Sequence, residues 1–326
     1  MSVGRPSQRS SILIEAVEHF GVPPYARELL GFQLAHEPFI RSMLARAFGL
    51  VGTRCSTQGL TAVDVGSGPG ALARMLGERI GPGGRVVCID NNPAFSKYVR
   101  ELQRPHTGEA RLHPVVSTGQ ASALRSDSAD LVLFAFCCKG GFPDMPPAMR
   151  EMKRTLKPGG VLAVMERRID EVELPWGQTL AAEVDRATQT FFAGRAGFGR
   201  DGYFVPDHLQ EVLRDFLGLV NCQAHHLPLK RMLHRTPENE AEALEHQGLA
   251  SYLLTTNEFL RNLISPEKRD KFDRLTLHGL APWFEGRPSF EVTYPYRLGL
   301  GCKPEVYLQD ARVSWTARRG RDAWQD

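Results

Sequence analysis

Three glycines and an acid in the first third of the chain have the spacing of a ligand-binding turn. Residues 63–70 have the sequence VDVGSGPG, with Gly66, Gly68 and Gly70 between a predicted strand and a predicted helix. Glycine lets the backbone turn sharply and approach a ligand closely, and doubly wound folds bind cofactors at such a junction. Asp90 ends the next predicted strand, where a carboxylate can accept hydrogen bonds from two ribose hydroxyls. The pattern therefore predicts a cofactor site at the carboxyl edge of a sheet.

The glycine pattern by itself fits two kinds of cofactor. Gly66, Gly68 and Ala71 also satisfy the dinucleotide pattern G-x-G-x-x-G/A, in which an acid follows about 20 residues later. Asp64, however, lies where nicotinamide and flavin sites usually carry an apolar residue, and its carboxylate suits a cationic ammonium better than a pyrophosphate. Asp64 could instead cap the following turn, and Asp90 could be an ordinary turn residue at a strand end. Both kinds of site remain open at this point.

The region around these glycines alternates short apolar runs with amphipathic stretches. Such alternation is typical of βαβ units in a parallel sheet. Strands are predicted at residues 61–65, 85–89, 112–116, 130–136 and 161–165. Met149, Met152 and Leu156 form the apolar stripe of one intervening helix, which is predicted to end at the KPGG sequence of residues 157–160. The sequence thus predicts an α/β fold with a doubly wound, mostly parallel sheet.

Helical patterns flank this region and interrupt its last part. Further strands are predicted at 222–229 and 289–300, and helices near 180–192, 208–216, 237–263 and 266–280. The last two helices are inferred from Thr236-Pro237 and Ser265-Pro266, in which a capping residue precedes a proline at the first helical position. The predicted organisation is an N-terminal helical extension or lid at 1–58, a core at 59–235 with a lid insertion at 171–204, a helical insertion at 236–286, a final strand at 287–304 and a tail at 305–326.

Four sequence blocks together resemble the class I S-adenosylmethionine-dependent methyltransferases, especially the small-molecule branch that includes ubiquinone and menaquinone methyltransferases. The blocks are VDVGSGPG at 63–70, VVCIDNNP at 86–93, SDSADLVLF at 126–134 and MKRTLKPGGVLAVME at 152–166. The resemblance covers residues 61–166, and 204–229 and 289–304 look like the final antiparallel strands of the family. It implies a Rossmann-like sheet of seven strands. Residues 1–58 and 236–286 lie outside it.

The resemblance implies S-adenosyl-L-methionine as the cofactor and S-adenosyl-L-homocysteine as its product. The cofactor-binding residues that it implies are Asp64, Gly66, Ser67, Gly68, Gly70, Asp90, Asn91, Gln120, Ala121 and Phe136. Asp64 is expected to face the cofactor's amino group, Asp90 its ribose and Asn91 its adenine. Gln120 stands where the family often has an aspartate, so it could accept a bond from the adenine amino group without a charge. Phe136 is expected beside the sulfonium.

The reaction implied is an in-line displacement at the methyl carbon of a sulfonium. Because the cofactor is already activated, the protein contributes mainly alignment and exclusion of water, with a general base only where the nucleophile carries a proton of high pKa. His36 and His208 are the candidates for such a base. The candidate substrate contacts are Tyr25, Cys137, Phe192 and Tyr203, for which packing in the core is the alternative.

The predicted substrate is a small, apolar or aromatic metabolite with an oxygen, nitrogen or carbon nucleophile. Residues 136–141 lack the sequence patterns of enzymes that methylate nucleic acids, and no paired-glutamate loop of protein arginine methyltransferases is present. The chain has 40 Lys and Arg against 37 Asp and Glu, a net charge of +3, which does not imply a polyanionic partner. The sequence thus predicts no nucleic-acid or membrane partner, a cytoplasmic location and a possible homodimer.

Metal binding and two other functions complete the set of hypotheses. His225 and His226 are neighbours in a predicted strand, so they face opposite sides and cannot share an ion; no metal is predicted. A protein with the same cofactor site could act without methyl transfer, as a cyclase or a regulator. A nicotinamide-dependent oxidoreductase is the third possibility.

Overall fold

The computed structural model describes the sheet, the helices around it and the start of the last insertion. The described residues are 30–31, 33–52, 59–102, 108–137, 145–167, 209–239, 242–243, 245–246, 284 and 286–305. The helices are α1 (Glu37–Gly52), α2 (Ala71–Ile80), α3 (Pro93–Leu102), α4 (Met145–Thr155) and the short α5 (Leu209–Glu211), which continues as a π-helical turn, Val212–Phe216. The strands are β1 (Thr61–Val65), β2 (Arg85–Asp90), β3 (Arg111–Val116), β4 (Ala129–Ala135), β5 (Leu156–Arg167), β6 (Val220–His234) and β7 (Ser289–Cys302). Within these ranges, no helix has the length and apolar character needed to cross a membrane.

The seven strands form one sheet in the order β3-β2-β1-β4-β5-β7-β6. The first five are parallel, with Val63 of β1 paired to Val87 of β2 and to Val132 of β4. β7 is antiparallel to both of its neighbours. From β1 the chain adds β2 and β3 on one side and β4 and β5 on the other, so the strand order reverses between β1 and β4. Ligands bind at such a reversal in open α/β sheets. The predicted seven-stranded, mostly parallel sheet is confirmed.

Alternate residues of the central strands pack against helices on opposite faces of the sheet. In β4, Leu131 and Leu133 join the core cluster of α1 and α2, whereas Val132 and Phe134 join the cluster of α4 and α5. A strand that is buried on both faces has a continuous apolar sequence, as β4 does from Leu131 to Ala135. The parallel strands are therefore held rigidly between two helical layers, which fixes the positions of the loops at their carboxyl ends.

The junction of α4 and β5 differs from the sequence prediction. Leu156 is predicted as a helical residue, but α4 ends at Thr155 and Leu156 pairs with Ala129 as the first residue of β5. Residues 157–160, predicted as the break after the helix, lie within this strand. Leu156 is fully buried. An apolar residue in either element satisfies the periodicity, so the long-range pairing with Ala129 decides its conformation.

The start of the 236–286 insertion also differs. A helix is predicted from Pro237, but residues 237–239 are not helical. Residues 242–243 and 245–246 are helical instead. The side-chain oxygen of Asn239 accepts a hydrogen bond of 3.0 Å from the backbone N–H of Glu242, and the backbone carbonyl of Asn239 accepts one of 3.0 Å from the N–H of Ala243. Asn239 therefore caps this helix, because its side chain supplies an acceptor to the first turn. The predicted helices near 180–192 and 266–280 lie outside the described residues.

β6 and β7 continue beyond the rest of the sheet as a two-stranded ribbon. The ladder between β5 and β7 ends at the pair Arg167 and Tyr296, while β7 remains paired to β6 as far as Ser289 opposite His234. Since Arg167 ends β5, the ribbon extends past the carboxyl edge of the parallel strands. Its inner face is aromatic, and Phe39 of α1 packs on Tyr296 at a centroid distance of 4.9 Å. The ribbon and α1 thus border the region in which a ligand would lie.

Candidate active site

The glycine loop after β1 is built by backbone hydrogen bonds. The N–H groups of Gly66 and Ser67 both donate to the carbonyl of Ile89, at 2.8 and 3.0 Å, and that of Gly70 donates to the carbonyl of Ser67 at 2.9 Å. Gly66, Gly68 and Gly70 have φ angles of +69°, +50° and +83°. Side chains with a Cβ rarely adopt these angles, so the three glycines are required by the shape of the loop.

Two of these glycines have different surroundings. A Cβ on Gly66 would lie 2.8 Å from the Cβ of Cys137, which follows β4, so the two strand ends touch here. A Cβ on Gly68 would meet nothing within 4 Å in the described part of the chain. The loop is thus closed against Cys137 on one side and open at Gly68, where the backbone can approach a ligand.

Asp64 is a buried acid beside this loop. Burial, and then the charge of Asp90, raise the pKa of Asp64 to about 8, although a hydrogen bond with the backbone of Ala73 lowers it. Its Oδ2 is buried and has no hydrogen-bond partner among the described residues. Ala73 lies in the first turn of α2, so the hydrogen bond with its backbone agrees with the alternative role of Asp64, in which one carboxylate oxygen caps that turn. The other oxygen is left for a ligand cation, and the ammonium of S-adenosyl-L-methionine fits it.

Asp90 holds the loop in place. Its Oδ2 accepts a hydrogen bond from the backbone N–H of Gly68 at 2.8 Å, and its Oδ1 accepts one from that of Asn92 at 2.8 Å. Asp90 therefore also stabilises the turn at the end of its strand, which was the alternative role considered for it. Each carboxylate oxygen has a second lone pair, so Asp90 can still accept hydrogen bonds from ribose hydroxyls. Asn91, the predicted adenine neighbour, is exposed next to it.

Gln120 and Ala121 lie in the turn after β3. Gln120 is half-buried and Ala121 is exposed, and the carbonyl of Ala121 accepts a hydrogen bond of 3.1 Å from Oγ of Ser117. Since β1, β2 and β3 are parallel, this turn is at the same edge of the sheet as the glycine loop. Contact of Gln120 with the adenine stays a prediction.

Phe136 leaves β4 in a left-handed conformation. Its φ is +58°, so the strand ends at Ala135, one residue before its predicted end. Its N–H donates to the carbonyl of Met165 at 2.9 Å, and its ring lies edge-on to Tyr296 at a centroid distance of 6.0 Å. A bulky residue rarely adopts this conformation, and such strain is concentrated at functional sites. The turn directs the chain to Cys137, which contacts Gly66.

His36, a candidate base, lies in a buried polar cluster. Its Nδ1 is hydrogen-bonded to the hydroxyl of Tyr296, and its Nε2 lies 3.2 Å from Oε1 of Glu245. Oε2 of the same glutamate accepts a hydrogen bond of 2.9 Å from Arg231. Burial would raise the pKa of Glu245, but the hydrogen bond and charge of His36, together with Arg231, lower it to about 2. His36 is thus held between Glu245 and Tyr296.

Sequence reasoning missed the partners of His36. Tyr296 and Glu245 are 260 and 209 residues away from it in the chain, so no local spacing connects them. The alternation of Tyr294 and Tyr296 in the last predicted strand was the available signal, because it places both rings on one face. The other four candidates for catalysis and substrate binding, His208, Tyr25, Phe192 and Tyr203, lie outside the described residues and stay predictions.

Comparisons with known proteins agree with this geometry. A family profile described as "Methyltransferase domain" matches residues 63–164. A demethylmenaquinone methyltransferase of Listeria monocytogenes is 30% identical over 198 residues, which are 60% of this chain and 76% of that protein. A ubiquinone/menaquinone biosynthesis C-methyltransferase of Hahella chejuensis is 32% identical over 108 residues, 33% of this chain. The chain spans only 43% of the length of the Hahella protein.

A solved structure supports the fold. A protein of Anaeromyxobacter dehalogenans described as a candidate type II methyltransferase superposes with a TM-score of 0.51 at 18% identity, over 80% of this chain and 97% of that one. The orphaned oxygen of Asp64 and the open backbone at Gly68 fit S-adenosyl-L-methionine. The predictions of this cofactor and of the enzyme class are confirmed. The chain belongs to the class I S-adenosylmethionine-dependent methyltransferases, in the ubiquinone and menaquinone methyltransferase branch.

Proposed function

We propose that this methyltransferase acts on an oxygen, nitrogen or carbon nucleophile of a small, apolar or aromatic metabolite. The observation that carries the proposal is that two consecutive residues after β4 connect the glycine loop to a group of aromatic rings. Cys137 lies against Gly66, and the preceding Phe136 lies against Tyr296. A planar, apolar substrate on this surface would lie beside the cofactor. The relatives whose names refer to ubiquinone and menaquinone support a substrate of this kind.

The aromatic surface consists of Phe39, Phe136 and Tyr296, with Tyr294 and His36 behind it. The ring of His36 lies 4.6 Å from that of Tyr294 and 5.9 Å from that of Tyr296, between centroids. Aromatic rings favour offset or edge-on packing with other rings, which suits a quinone or phenol. Ligand pockets bind mainly by apolar contact, and a few polar groups set the orientation. The hydroxyl of Tyr296, which is hydrogen-bonded to His36, is a polar group among these rings.

When bound, S-adenosyl-L-methionine supplies an electrophilic methyl group. The residues of this chain contribute binding and alignment. Asp64 would hold the amino group by charge, Asp90 would accept hydrogen bonds from the ribose, and the loop at Gly68 would allow close approach of the backbone. Phe136 and Tyr296 would help to exclude water from the reacting atoms, which favours a displacement that neutralises charge. Glu245 fixes the ring of His36, so that this side chain orients the Tyr296 hydroxyl.

Asp64 also bears on the two other functions. A cofactor-binding cyclase or regulator would keep the same acid, but the family matches do not favour that function. An ionised Asp64 would repel a pyrophosphate at the loop and attract a cationic ammonium, which argues against a nicotinamide-dependent oxidoreductase. A homodimer, the absence of nucleic-acid and membrane partners and a cytoplasmic location stay predictions.

Calorimetry followed by a transfer assay tests the proposal. We expect the full chain to bind S-adenosyl-L-methionine and S-adenosyl-L-homocysteine and to move labelled methyl groups onto members of a panel of naphthoquinols, phenols and aromatic amines. Asp64→Asn should weaken binding, and Asp215→Asn, at an exposed acid of the π-helical turn that pairs with Arg214, is the matched control. Binding without transfer to any aromatic acceptor, together with transfer to aliphatic amines, would overturn the substrate class.

A further inference from the structure

Three parts of the chain meet at the ring of His36, which directly precedes α1. Tyr296 of β7 is hydrogen-bonded to one of its nitrogens, and Glu245, in the helix of residues 242–246, lies at the other. Arg231 of β6 donates to the second oxygen of Glu245. The side chains of His36 and Glu245 are fully buried, and Tyr296 is 2% exposed. The four side chains thus form a chain of hydrogen bonds that ends at the Tyr296 hydroxyl.

The hydrogen positions in this chain follow from the partners of each atom. Burial alone would raise the pKa of Glu245, but His36 and Arg231 lower it to about 2, so the carboxylate is ionised and only accepts. Nε2 of His36, 3.2 Å from this carboxylate, therefore carries a proton. In a neutral imidazole the other nitrogen is an acceptor, so the Tyr296 hydroxyl donates to Nδ1.

The charges of the cluster favour a neutral imidazole before reaction. Arg231 and Glu245 already form a pair, with 2.9 Å between nitrogen and oxygen. An imidazolium at His36 would add a second positive charge to a buried cluster that is balanced without it, and uncompensated buried charges are costly. His36 is therefore ready to take up a proton through Tyr296.

The Tyr296 end of the chain adjoins the cofactor loop. Tyr296 pairs with Arg167, the last residue of β5, so it lies at the carboxyl edge of the parallel strands. Its ring contacts that of Phe136, and the next residue, Cys137, lies against Gly66. A hydroxyl oxygen has two lone pairs besides the proton that it donates. An acceptor on this aromatic surface can therefore give a proton to the Tyr296 oxygen.

We propose that Tyr296 is the catalytic residue that deprotonates the methyl acceptor, with His36 taking up the proton behind it and Glu245 positioning His36. The inference rests on the proposed function, transfer to an aromatic metabolite, and narrows the acceptor to one with a weakly acidic hydroxyl, such as a phenol or a hydroquinone. Such a hydroxyl needs a base, whereas the nitrogen of a neutral amine already has an available electron pair.

The proposed step moves two protons and one methyl group. The acceptor hydroxyl gives its proton to Oη of Tyr296 while the proton of that oxygen passes to Nδ1 of His36, so the tyrosine stays neutral. The carboxylate of Glu245 stabilises the imidazolium, as carboxylates do behind other catalytic histidines. The electron pair left on the acceptor oxygen forms the bond to the methyl carbon, and the bond from that carbon to sulfur breaks with its pair on sulfur. His36 returns its proton to solvent afterwards.

Acceptors that differ only in acidity test the relay on the full chain. Tyr296→Phe should bind S-adenosyl-L-homocysteine normally but lower the single-turnover rate of methyl transfer to a naphthol by at least about 100-fold. With a nitrated naphthol whose hydroxyl is ionised at the assay pH, the loss should shrink to about tenfold or less, because an ionised acceptor needs no base. A role in packing alone would lower both rates equally.

Two further variants complete the comparison. His36→Gln keeps a polar side chain that cannot take up the proton, so it should match the loss of Tyr296→Phe with the naphthol. The double variant should lose no more than either single variant, since residues that act as one unit are not additive. Tyr98→Phe, at a fully buried tyrosine of α3, is the matched control and should leave both rates unchanged.

A measurement on the unsubstituted chain decides the question even where the variants do not fold. Its single-turnover rate should be lower in heavy water with the naphthol and unchanged with the nitrated naphthol, because a proton moves only in the first reaction. Equal losses with both acceptors in Tyr296→Phe, or no effect of heavy water with the naphthol, would overturn the relay. Transfer to aromatic amines but to no aromatic hydroxyl would also overturn it, and would leave the proposed function standing. Transfer to aliphatic amines alone would overturn both.

Discussion

The carboxylate of Asp90 accepts a hydrogen bond from the backbone N–H of Gly68 at 2.8 Å, and this bond ties the acid at the end of β2 to the glycine loop after β1. The acid expected to bind the ribose is thus also a structural part of the loop. The loop has its shape before the cofactor arrives, so little ordering is needed on binding, and preorganisation of this kind favours affinity.

Asp90→Ala should therefore lower both stability and cofactor affinity. The substitution leaves the N–H groups of Gly68 and Asn92 without their acceptor, and hydrogen bonds to charged groups contribute about 1.5–3 kcal/mol. We expect the free energy of unfolding to fall by about 2 kcal/mol, measured by urea titration, and S-adenosyl-L-homocysteine binding to be lost in calorimetry. Asp215→Ala should change neither. Normal binding by Asp90→Ala would contradict the assignment of this acid.

Cofactor binding should release a proton from Asp64. The pKa of Asp64 is raised to about 8 in the free protein, and a neighbouring ammonium favours the ionised carboxylate. Affinity for S-adenosyl-L-homocysteine should thus rise between pH 5 and pH 7, by at most about tenfold per pH unit. Calorimetry in buffers of different ionisation enthalpy measures the released proton. Asp64→Asn should release none; the same proton release in that variant would assign it to another group.

The same acid should make the protein less stable as the pH rises. The folded pKa of Asp64, about 8, lies above the unfolded value of about 3.9. Below about pH 4 both states are protonated and the effect is absent; between about pH 4 and 8 the unfolded state loses its proton first, so the free energy of unfolding decreases. Asp64→Asn should gain stability relative to the unsubstituted protein over this range. Equal pH profiles for the two proteins in urea titrations would show that Asp64 ionises normally.

Gly66→Ala should damage the loop more than its small size suggests. The added methyl group meets two obstacles, the φ of +69° and the Cβ of Cys137 at 2.8 Å. We expect a loss of about 1–3 kcal/mol in the free energy of unfolding and weaker binding of S-adenosyl-L-homocysteine. Gly49→Ala, at an exposed helical site with open space, should instead stabilise α1 by about 0.8–1 kcal/mol. Equal changes in the free energy of unfolding of Gly66→Ala and Gly49→Ala would show that the loop tolerates a Cβ at residue 66.

His36→Phe should destabilise the protein through Glu245. The phenyl ring keeps the aromatic contacts but removes the hydrogen bond to a buried carboxylate, which then has only Arg231 among its partners described here. Breaking a buried charged pair costs about 3 kcal/mol or more. Thermal and urea unfolding measure the loss. His226→Phe, at an exposed site, should stay within about 0.5 kcal/mol of the unsubstituted protein. A neutral effect of His36→Phe would mean that Glu245 is stabilised by Arg231 alone.

Most of the sheet could be predicted from the sequence because its signals are local. The first strand was predicted with its observed bounds, Thr61–Val65, and the other parallel strands within a few residues of theirs, except that β5 begins at Leu156 instead of residue 161. One error falls where a long-range contact overrides the local pattern, because Leu156 pairs with Ala129 instead of extending a helix. The other is a choice between two nearby capping residues: the helix begins at the Asn239 cap instead of at Pro237.

The sequence by itself determined the cofactor loop, since the glycines and the acids Asp64 and Asp90 lie within 27 residues of one another, in a pattern that one strand–helix–strand unit requires. Only the tertiary structure decided what surrounds it. The cluster of His36, Glu245 and Tyr296 joins residues more than 200 positions apart. Such contacts leave no local periodicity, because they depend on how α1, the insertion and the ribbon pack together, and that packing is determined by the whole core.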